Sequence, residues 1–335
     1  MSFELRDLEL PVLGAPMAGG PGTPQLAAAV SSAGGLGFLP AGYLSAQQLG
    51  ENIAAARSAT SGPLGVNLFV PQPGIADPAE LSRYREALGE LAGHYGVEPG
   101  DARWDDDSWD AKIEVLLELR PEVVSFTFAL PDPVAMARLR AAGITTAMTV
   151  TSVEEARLAT DFDTLVVQGP EAGGHRGTLD PTAVPPRRPL LDLLRGVVAA
   201  VDVPVVAAGG IVDAATAAAA RTAGASAVQV GTALLLAEEA GTNPVHRAAL
   251  TDPVFTETAV TRAFSGRYAR GLANGFIRRF DPVAPLGYPD VHHLTSPIRR
   301  AAVAAGDPNG TNLWAGTGFG SVRSAPAAEI IRQLG

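Results

Sequence analysis

The sequence contains no cysteine and only one lysine among its 335 residues. The absence of cysteine excludes disulfides, thiolate metal ligands and a cysteine nucleophile. The single lysine, Lys112, follows the polar stretch DDDSWDA at the predicted start of a helix. We expect its side chain to be solvated there, which argues against Schiff-base chemistry at a lysine.

Positive charge and long apolar runs are also scarce. The formal net charge is −10, which disfavours nucleic acid or an anionic membrane as a partner. No apolar run approaches the ~18 residues that a membrane helix needs, and the N-terminal MSFELRDLEL lacks the apolar core of a signal peptide. We therefore expect a soluble, cytoplasmic protein. The composition does not predict an oligomeric state.

What the sequence does contain is a repeated unit: a short apolar run, a loop and an amphipathic segment. The apolar runs are LPVLGAPM (10–17), LGFL (36–39), PLGVNLFV (63–70), VVSFTFAL (123–130), TTAMTV (145–150), TLVVQG (164–169), PVVAAGG (204–210) and AVQVGTALLLA (227–237). Near-continuous apolar runs are typical of parallel strands buried on both faces. The segment NPVHRAALTD (243–252) is the predicted helix of the eighth unit.

Eight such units favour a (β/α)8 TIM barrel formed by one domain over residues 1–335. An open doubly wound sheet is the alternative, but the early loop GAPMAGGPG lacks the spacing and the downstream acid of a dinucleotide-binding loop. Two excursions, at about 71–120 and 255–320, interrupt the repeat. We predict that they are inserted lid segments that form a substrate region, since insertions after barrel strands often do so. Alternatively, they only cover the barrel ends.

The ends of the apolar runs are where an active site is expected in a barrel. Glycines in VAAGG (206–210) and VQVGT (228–232) end the last two strands, where backbone N–H groups can approach an anion. The alternative is that these glycines serve only tight turns. Glu171 is the one carboxylate among these loops, and no histidine cluster offers a metal site. Because these loops offer few acidic or basic side chains, we expect a bound cofactor to supply the reactive group.

Several stretches together resemble one known family over residue 10 to the C-terminus. They are LGAPMAGGPGTPQLAAAVSSAGGLGFLPAGY, VNLFV, VQGPEAGGHRG, VVAAGGIVDAATAAAA, VQVGTALLLAEEA, TRAFSGRYARGLANGF and LWAGTGF. In this order they resemble the nitronate monooxygenase family, formerly called 2-nitropropane dioxygenases. Flavin-dependent enoyl-ACP reductases share the opening segment and the Glu-Ala-Gly-Gly-His signature. The resemblance is therefore more specific for the barrel and its flavin than for the reaction.

The resemblance implies non-covalently bound FMN. The positions that match the family's cofactor-binding residues are Ala15, Pro16, Met17, Asn67, Gln168, Gly173, Gly174, Gly209, Gly210, Gln229, Val230, Gly231 and Thr232. Of these, the first three would lie along the isoalloxazine ring, and the two amide side chains would hydrogen-bond it. The backbone of Gly173 and Gly174 would pack close to the ring. Gly210 and the run Gln229–Thr232 would hold the phosphate, at the place where the strand ends already suggest an anion.

The resemblance assigns catalysis to His175. An imidazole suits proton abstraction at neutral pH. His175 would remove an α-proton from a nitroalkane or stabilise the anionic nitronate. The nitronate would then give an electron to FMN and react with O2, yielding a carbonyl compound and nitrite. The alternative activities are an enoyl-ACP reductase or another NAD(P)H-dependent flavin oxidoreductase, and a ligand-binding module without chemistry is less favoured.

Other polar side chains receive weaker assignments. By analogy, Ser265, Arg267 and Arg270 would shape the outer rim of the cofactor site. Arg176 could attract the anionic substrate, but pairing with an acid at the surface is the favoured assignment. His94 and His246 are expected to be solvated. A metal site at His292 and His293 lacks a third ligand. Trp314 could either cover the ligand or fasten the C-terminal segment.

Overall fold

The computed structural model describes residues 3–335, and within them eight parallel strands close into a barrel. In barrel order the strands are β1 (Val12–Gly14), β2 (Leu36–Pro40), β3 (Leu64–Phe69), β4 (Val123–Thr127), β5 (Thr145–Val150), β6 (Thr164–Gln168), β8 (Val205–Ala208) and β9 (Ala227–Val230). The barrel closes where Leu13 of β1 pairs with Gln229 of β9. The predicted TIM barrel is confirmed, and all eight predicted runs contain a barrel strand.

Three further strands form a separate antiparallel sheet above the barrel. They are β7 (Gly174–His175), β10 (Thr258–Thr261) and β11 (Ala269–Leu272), in the order β10-β11-β7. The loop after β6 thereby pairs with a segment almost one hundred residues further along the chain, since His175 lies opposite Ala269. This small sheet holds the predicted catalytic loop over the mouth of the barrel.

Eight helices surround the barrel, and four more lie outside this ring. The ring consists of α1 (Pro24–Ser32), α2 (Ala46–Ala59), α4 (Trp109–Leu119), α5 (Pro133–Ala141), α6 (Val153–Leu158), α7 (Leu190–Val198), α8 (Ala214–Thr222) and α12 (Ala327–Leu334). The others are α3 (Pro78–His94), α9 (Pro244–Thr251), α10 (Gly275–Phe280) and α11 (Asp290–Ala304). None of the helices within residues 3–335 is both long and apolar enough to cross a membrane.

The eighth helix of the ring is not the predicted one. The segment 243–252 does form α9, but α12 at the C-terminus packs between α8 and α1. Ile331 and Leu334 of α12 join the main hydrophobic core, whereas Leu250 of α9 packs in a separate cluster with Phe255. Both helices are amphipathic, so the hydrophobic pattern alone does not distinguish them.

The two excursions pack against each other through a hydrophobic cluster of their own. Tyr84 and Leu88 of α3 meet Phe276 of α10 and Leu294 of α11 there. The first excursion is shorter than the predicted 71–120, because α4 belongs to the barrel ring and Ile113 lies in the main core. The chain between β3 and α4 therefore contributes only α3 and its flanking loops to this outer layer.

The prediction that Lys112 is solvated is wrong. Its side chain is only 1% exposed, and its Nζ atom lies 2.8 Å from Asp107 Oδ2. The other oxygen of Asp107 accepts a hydrogen bond of 3.0 Å from the amide of Tyr43. Burial lowers the pKa of Lys112, and the contact with Asp107 opposes that shift. The only lysine of the chain thus forms a buried ion pair that holds the loop after β2.

Candidate active site

A cavity of about 520 Å³ opens at the carboxyl ends of the barrel strands. Its size is within the range of small-molecule and cofactor pockets. Every residue assigned above to the cofactor lines it, and so does His175: Ala15, Pro16, Met17, Asn67, Gln168, Gly173, Gly174, Gly209, Gly210, Gln229, Val230, Gly231 and Thr232. No aspartate or glutamate of the described chain lines it, while Arg299 and Arg300 do. The cavity therefore suits an anionic ligand.

The floor of the cavity contains polar side chains that hold one another. Asn67 Nδ2 donates to Ser125 Oγ at 2.9 Å and to Thr127 Oγ1 at 3.1 Å. Buried amides require such partners. The Asn67 side chain is consequently fixed between β3 and β4, and its oxygen is not engaged by these contacts.

Gln168, at the end of β6, spans the loop that carries the histidine. Its Nε2 donates to the carbonyl of His175, and its Oε1 accepts from the amide of Gly177, both at 2.9 Å. Gly174 has a φ of +75°, a conformation that favours glycine. These contacts fold the loop back over the mouth of the barrel. Gln168 thus fixes the conformation of the loop that carries His175, in addition to its predicted hydrogen bond with the cofactor.

The hydrogen bonds of His175 determine its tautomer. Its Nε2 lies 2.8 Å from Ser265 Oγ, and that hydroxyl donates its single proton to the carbonyl of Arg267 at 3.2 Å. With Ser265 donating to that carbonyl, its oxygen accepts from the imidazole, and on this ground we assign the proton of His175 to Nε2. Nδ1 remains as an acceptor and is the atom available as a base.

Aromatic rings and cations set the electrostatics around His175. The ring centroids of Phe128, Tyr288 and Trp314 lie 5.7–5.8 Å from that of the imidazole. Burial lowers the pKa of His175 to about 3, and the positive charges of Arg267 and Arg299 add to the shift. The imidazole is therefore neutral at physiological pH, and the site disfavours its protonated form.

Two arginines near the loop are buried rather than exposed. Arg176, predicted to lie at the surface, is only 1% exposed and donates to the carbonyls of Gly169 and Gln168. Arg267 is 2% exposed, donates to the Thr178 carbonyl and lies 4.0 Å above the Phe128 ring. Both side chains satisfy backbone carbonyls at the end of the barrel. Neither forms the rim that the family resemblance suggests for Arg267.

The remaining rim candidates divide between two roles. Ser265 contacts His175, as described above. Arg270 instead donates to the carbonyl of Pro170 and to Thr258 Oγ1, at 2.8 and 2.9 Å. Trp314 fastens the C-terminal segment, since its backbone forms a bridge with Gly271, and it also lines the cavity. Its packing over a ligand stays a prediction.

Glycines form a second part of the cavity, at the ends of β8 and β9. Gly209 and Gly210 have φ values of +110° and +69°, and a Cβ at Gly210 would lie 3.1 Å from Glu171 Cβ. The amides of Gly210 and Gly231 donate no hydrogen bond within residues 3–335. Their N–H groups are therefore available for an anion, as at other glycine-rich strand ends.

The structure brings residues into the cavity that the sequence did not indicate. Tyr43 follows β2, and a further group lies on α11 or in the chain after it: His292, Ser296, Arg299, Arg300, Thr311 and Asn312. Tyr43 lies three residues after β2, so its place close to the carboxyl end of a predicted strand could have been noticed in the sequence. The α11 residues carry no local signal, because only packing of the second excursion brings them to the barrel mouth. Among residues 3–335, no cluster of three or more potential ligands could hold a metal ion.

His246 is buried, which contradicts its predicted exposure, whereas His94 is exposed as predicted. His246 is 4% exposed, and its Nε2 finds no partner in the described chain. Burial lowers its pKa to about 4, partly opposed by a hydrogen bond to the backbone of Trp314. The native state thus resists a proton that the unfolded chain accepts near pH 6.5.

His246 should make the folded state sensitive to acid. Stability from a neutral buried histidine is fully present above pH 6.5 and is lost as the pH falls towards 4. Going from pH 7 to pH 5 should cost about 2 kcal/mol through this residue. Urea denaturation at both pH values should show that His246→Gln reduces the difference, while His94→Gln leaves it unchanged. An equal acid sensitivity in all three proteins would contradict the assignment.

Comparisons with known proteins agree with this geometry. The sequence profile described as nitronate monooxygenase matches residues 4–335. A nitronate monooxygenase from Pseudomonas aeruginosa is 40% identical over 98% of this chain and 96% of its own length.

Two solved structures are also similar. A nitroalkane oxidase from Streptomyces ansochromogenes superimposes with a TM-score of 0.94 at 47% identity, over 98% of this chain and 96% of the other. FabK from Thermotoga maritima superimposes with a TM-score of 0.74 at 28% identity, over 98% and 93% of the two chains. The extent and the identity of these matches lead to one conclusion: the chain belongs to the nitronate monooxygenase family.

Proposed function

We propose that this protein is an FMN-dependent nitronate monooxygenase that uses O2 to convert alkyl nitronates into a carbonyl compound and nitrite. The observation that carries the proposal is the neutral imidazole of His175, with Nδ1 free to accept a proton, in a cavity that no carboxylate of residues 3–335 lines. We also propose that the protein acts in the cytoplasm on small molecules.

FMN fits the cavity by the chemistry of its walls. The unpaired amides of Gly210 and Gly231 would hold the phosphate, and Ala15–Met17 would lie along the ring system. The oxygen of Asn67, which its own contacts leave free, is an acceptor for a ring N–H. When bound, FMN supplies the electron-transfer chemistry that no side chain of the cavity offers.

The protein's own residues prepare the substrate. Nδ1 of His175 accepts the α-proton of a neutral nitroalkane, while Ser265 keeps the other nitrogen protonated. Burial, Arg267 and Arg299 disfavour positive charge on the imidazole of the free protein. Proton abstraction leaves a negative charge on the substrate beside the imidazolium, and this opposite charge offsets that cost, while the two arginines favour the anion. A substrate that arrives as the nitronate needs no proton removal. We therefore expect nitronates to be better substrates than their neutral nitroalkanes.

An NAD(P)H-dependent reductase is the competing function, favoured by the similarity to FabK. The sequence contains paired arginines at 187–188, 278–279 and 299–300, which could serve a dinucleotide or an acyl carrier. Of these, Arg299 is held inside the protein by hydrogen bonds to Thr295, Ser296 and Asn312. A second cavity adjoins the active-site cavity, and three aspartates, 105–107, line it. Their negative charges disfavour an anionic dinucleotide there.

Anaerobic flavin reduction separates the two functions. The purified yellow protein should be bleached by propionate 3-nitronate and should respond slowly or not at all to NADH. Rapid bleaching by NADH with none by the nitronate would establish the reductase instead. A colourless protein that takes up no added FMN would eliminate both enzymes.

A further inference from the structure

His292, on α11, has a tautomer that its neighbour determines. Its Nδ1 lies 3.2 Å from Nη2 of Arg299. A guanidinium can only donate, so Nδ1 must accept and the proton must be on Nε2. No hydrogen-bond partner of Nε2 is found within residues 3–335. His292 therefore holds a free N–H donor.

The ring of His292 is fixed in orientation as well as in tautomer. It stacks on Tyr43 with centroids 4.2 Å apart and planes 5° from parallel. Arg299 is in turn held by Thr295 Oγ1 at 3.0 Å and Asn312 Oδ1 at 2.9 Å. An N–H that is oriented in advance loses little entropy when it binds a ligand.

His292 occupies a boundary between two cavities. Together with Tyr43 and Phe69 it lines both the active-site cavity and an adjoining cavity of about 400 Å³. Burial and the charge of Arg299 hold the pKa of His292 far below its usual range, and His175 is near enough to contribute. His292 is therefore a neutral donor that shares a cavity with the proposed base. No carboxylate of the described chain lies within 4 Å of Arg299, so the guanidinium leaves positive charge at this wall.

We propose that the Nε2–H of His292 hydrogen-bonds an oxygen of the substrate's nitronate group, and that Arg299 is the positioning residue that keeps this proton in place. The identity of the substrate rests on the function proposed above. The nitronate is planar and anionic, so a neutral donor beside a guanidinium complements its oxygens. His292 would then determine how the substrate lies relative to Nδ1 of His175.

The test compares two replacements of His292 in the FMN-loaded protein. His292→Phe keeps a ring that can stack on Tyr43 but removes the donor, whereas His292→Gln keeps an N–H near the position of Nε2. Butyrate serves as an unreactive anion whose planar carboxylate resembles the nitronate group, and its Kd is read from the flavin absorbance. Hydrogen bonds to charged groups are among the stronger ones in proteins. We expect His292→Phe to raise this Kd about tenfold or more and His292→Gln to remain within about threefold of wild type.

Steady-state kinetics give a second measurement. The KM for propionate 3-nitronate should rise with the Kd in His292→Phe, while kcat changes by less than about threefold. Equal FMN content and circular dichroism establish that the variants are folded, and His292→Leu replaces the phenylalanine variant if the larger ring is not accommodated. A donor-free variant that binds butyrate as wild type does would overturn the proposal, and so would a glutamine variant as weak as the phenylalanine one.

The failure of this inference can be told apart from the failure of the proposed function. Butyrate binding is measured without turnover. A wild-type protein that binds butyrate but does not oxidise nitronates would refute the function, whereas an active wild type with an unaffected His292→Phe variant would refute only the role of His292. If the wild type binds no butyrate, the KM for propionate 3-nitronate decides. An unchanged KM in His292→Phe would then overturn the inference.

Discussion

Replacing His175 by asparagine should lower kcat/KM for a neutral nitroalkane by about 10²- to 10⁴-fold, the range contributed by a general base. Nδ1 is the only basic atom of this loop that is free to accept a proton, since Nε2 donates to Ser265. An asparagine side chain preserves hydrogen bonding but cannot act as a base. FMN content and the flavin absorbance should remain those of wild type, because His175 is not among the glycine and amide groups assigned to the cofactor.

The substrate's charge state provides the internal control. A preformed nitronate requires no proton abstraction, so His175→Asn should lose far less activity towards it than towards the nitroalkane. Initial rates of nitrite release with each form of the same compound measure both effects. Unchanged turnover of the neutral nitroalkane would remove His175 from the mechanism. Equal losses with both forms would assign it to binding rather than to proton transfer.

The pH dependence follows from the same contacts. Since burial and nearby arginines lower the pKa of His175 to about 3, the base is already neutral at pH 5. The free enzyme should therefore show no loss of kcat/KM between pH 9 and pH 5 that is due to protonation of this residue.

Replacing Lys112 by methionine should lower the free energy of unfolding by about 3–5 kcal/mol, the usual cost of removing one partner from a buried ion pair. The change would leave Asp107 without its cation beneath the loop that carries Tyr43. Methionine fills a similar volume, so the loss should come from the uncompensated charge rather than from a cavity. Urea denaturation monitored by tryptophan fluorescence measures the effect.

Two further variants identify the cause of that loss. Adding Asp107→Asn to Lys112→Met removes the stranded charge but retains the oxygen that accepts from Tyr43, so stability should partly return. Arg138→Met breaks an exposed pair with Glu114 between α4 and α5, and it should leave the denaturation midpoint near that of wild type. If the single and double variants are equally destabilised, burial of charge is not the reason.

The barrel could be predicted from the sequence because its signal is local and repeated. Each strand is buried on both faces, so each reads as an apolar run such as TLVVQG, whatever the rest of the chain does. Helix starts carry their own local signal, because serine and aspartate are preferred as capping residues. Ser45, Ser152 and Asp213 each precede a helix and accept a hydrogen bond from the amide three residues later. The eighth helix of the ring was wrongly assigned. Both α9 and α12 are amphipathic, and only one of them can occupy the eighth position around the barrel.

Half of the candidate site was predictable for a related reason. Parallel strands bring their carboxyl ends to one mouth of a barrel, so Asn67, Gln168, Gly210 and Thr232 had to converge once the barrel was assigned. Their convergence on one cavity is confirmed, and their contacts with FMN stay a prediction. The predictions that Lys112 and His246 are exposed to solvent were wrong, because the burial of a polar side chain depends on which other segments pack over it.

The sequence by itself determined the closed barrel, the glycine-bearing strand ends and the place of His175, since each follows from neighbouring residues and a repeating pattern. Only the tertiary structure decided which nitrogen of His175 is free, because Ser265 lies ninety residues away. It also brought His292 and Arg299 to the same cavity through the packing of α11 on α3. Contacts between distant segments depend on how well the surfaces of the two segments fit each other. A local pattern in one segment carries no information about the shape of the other.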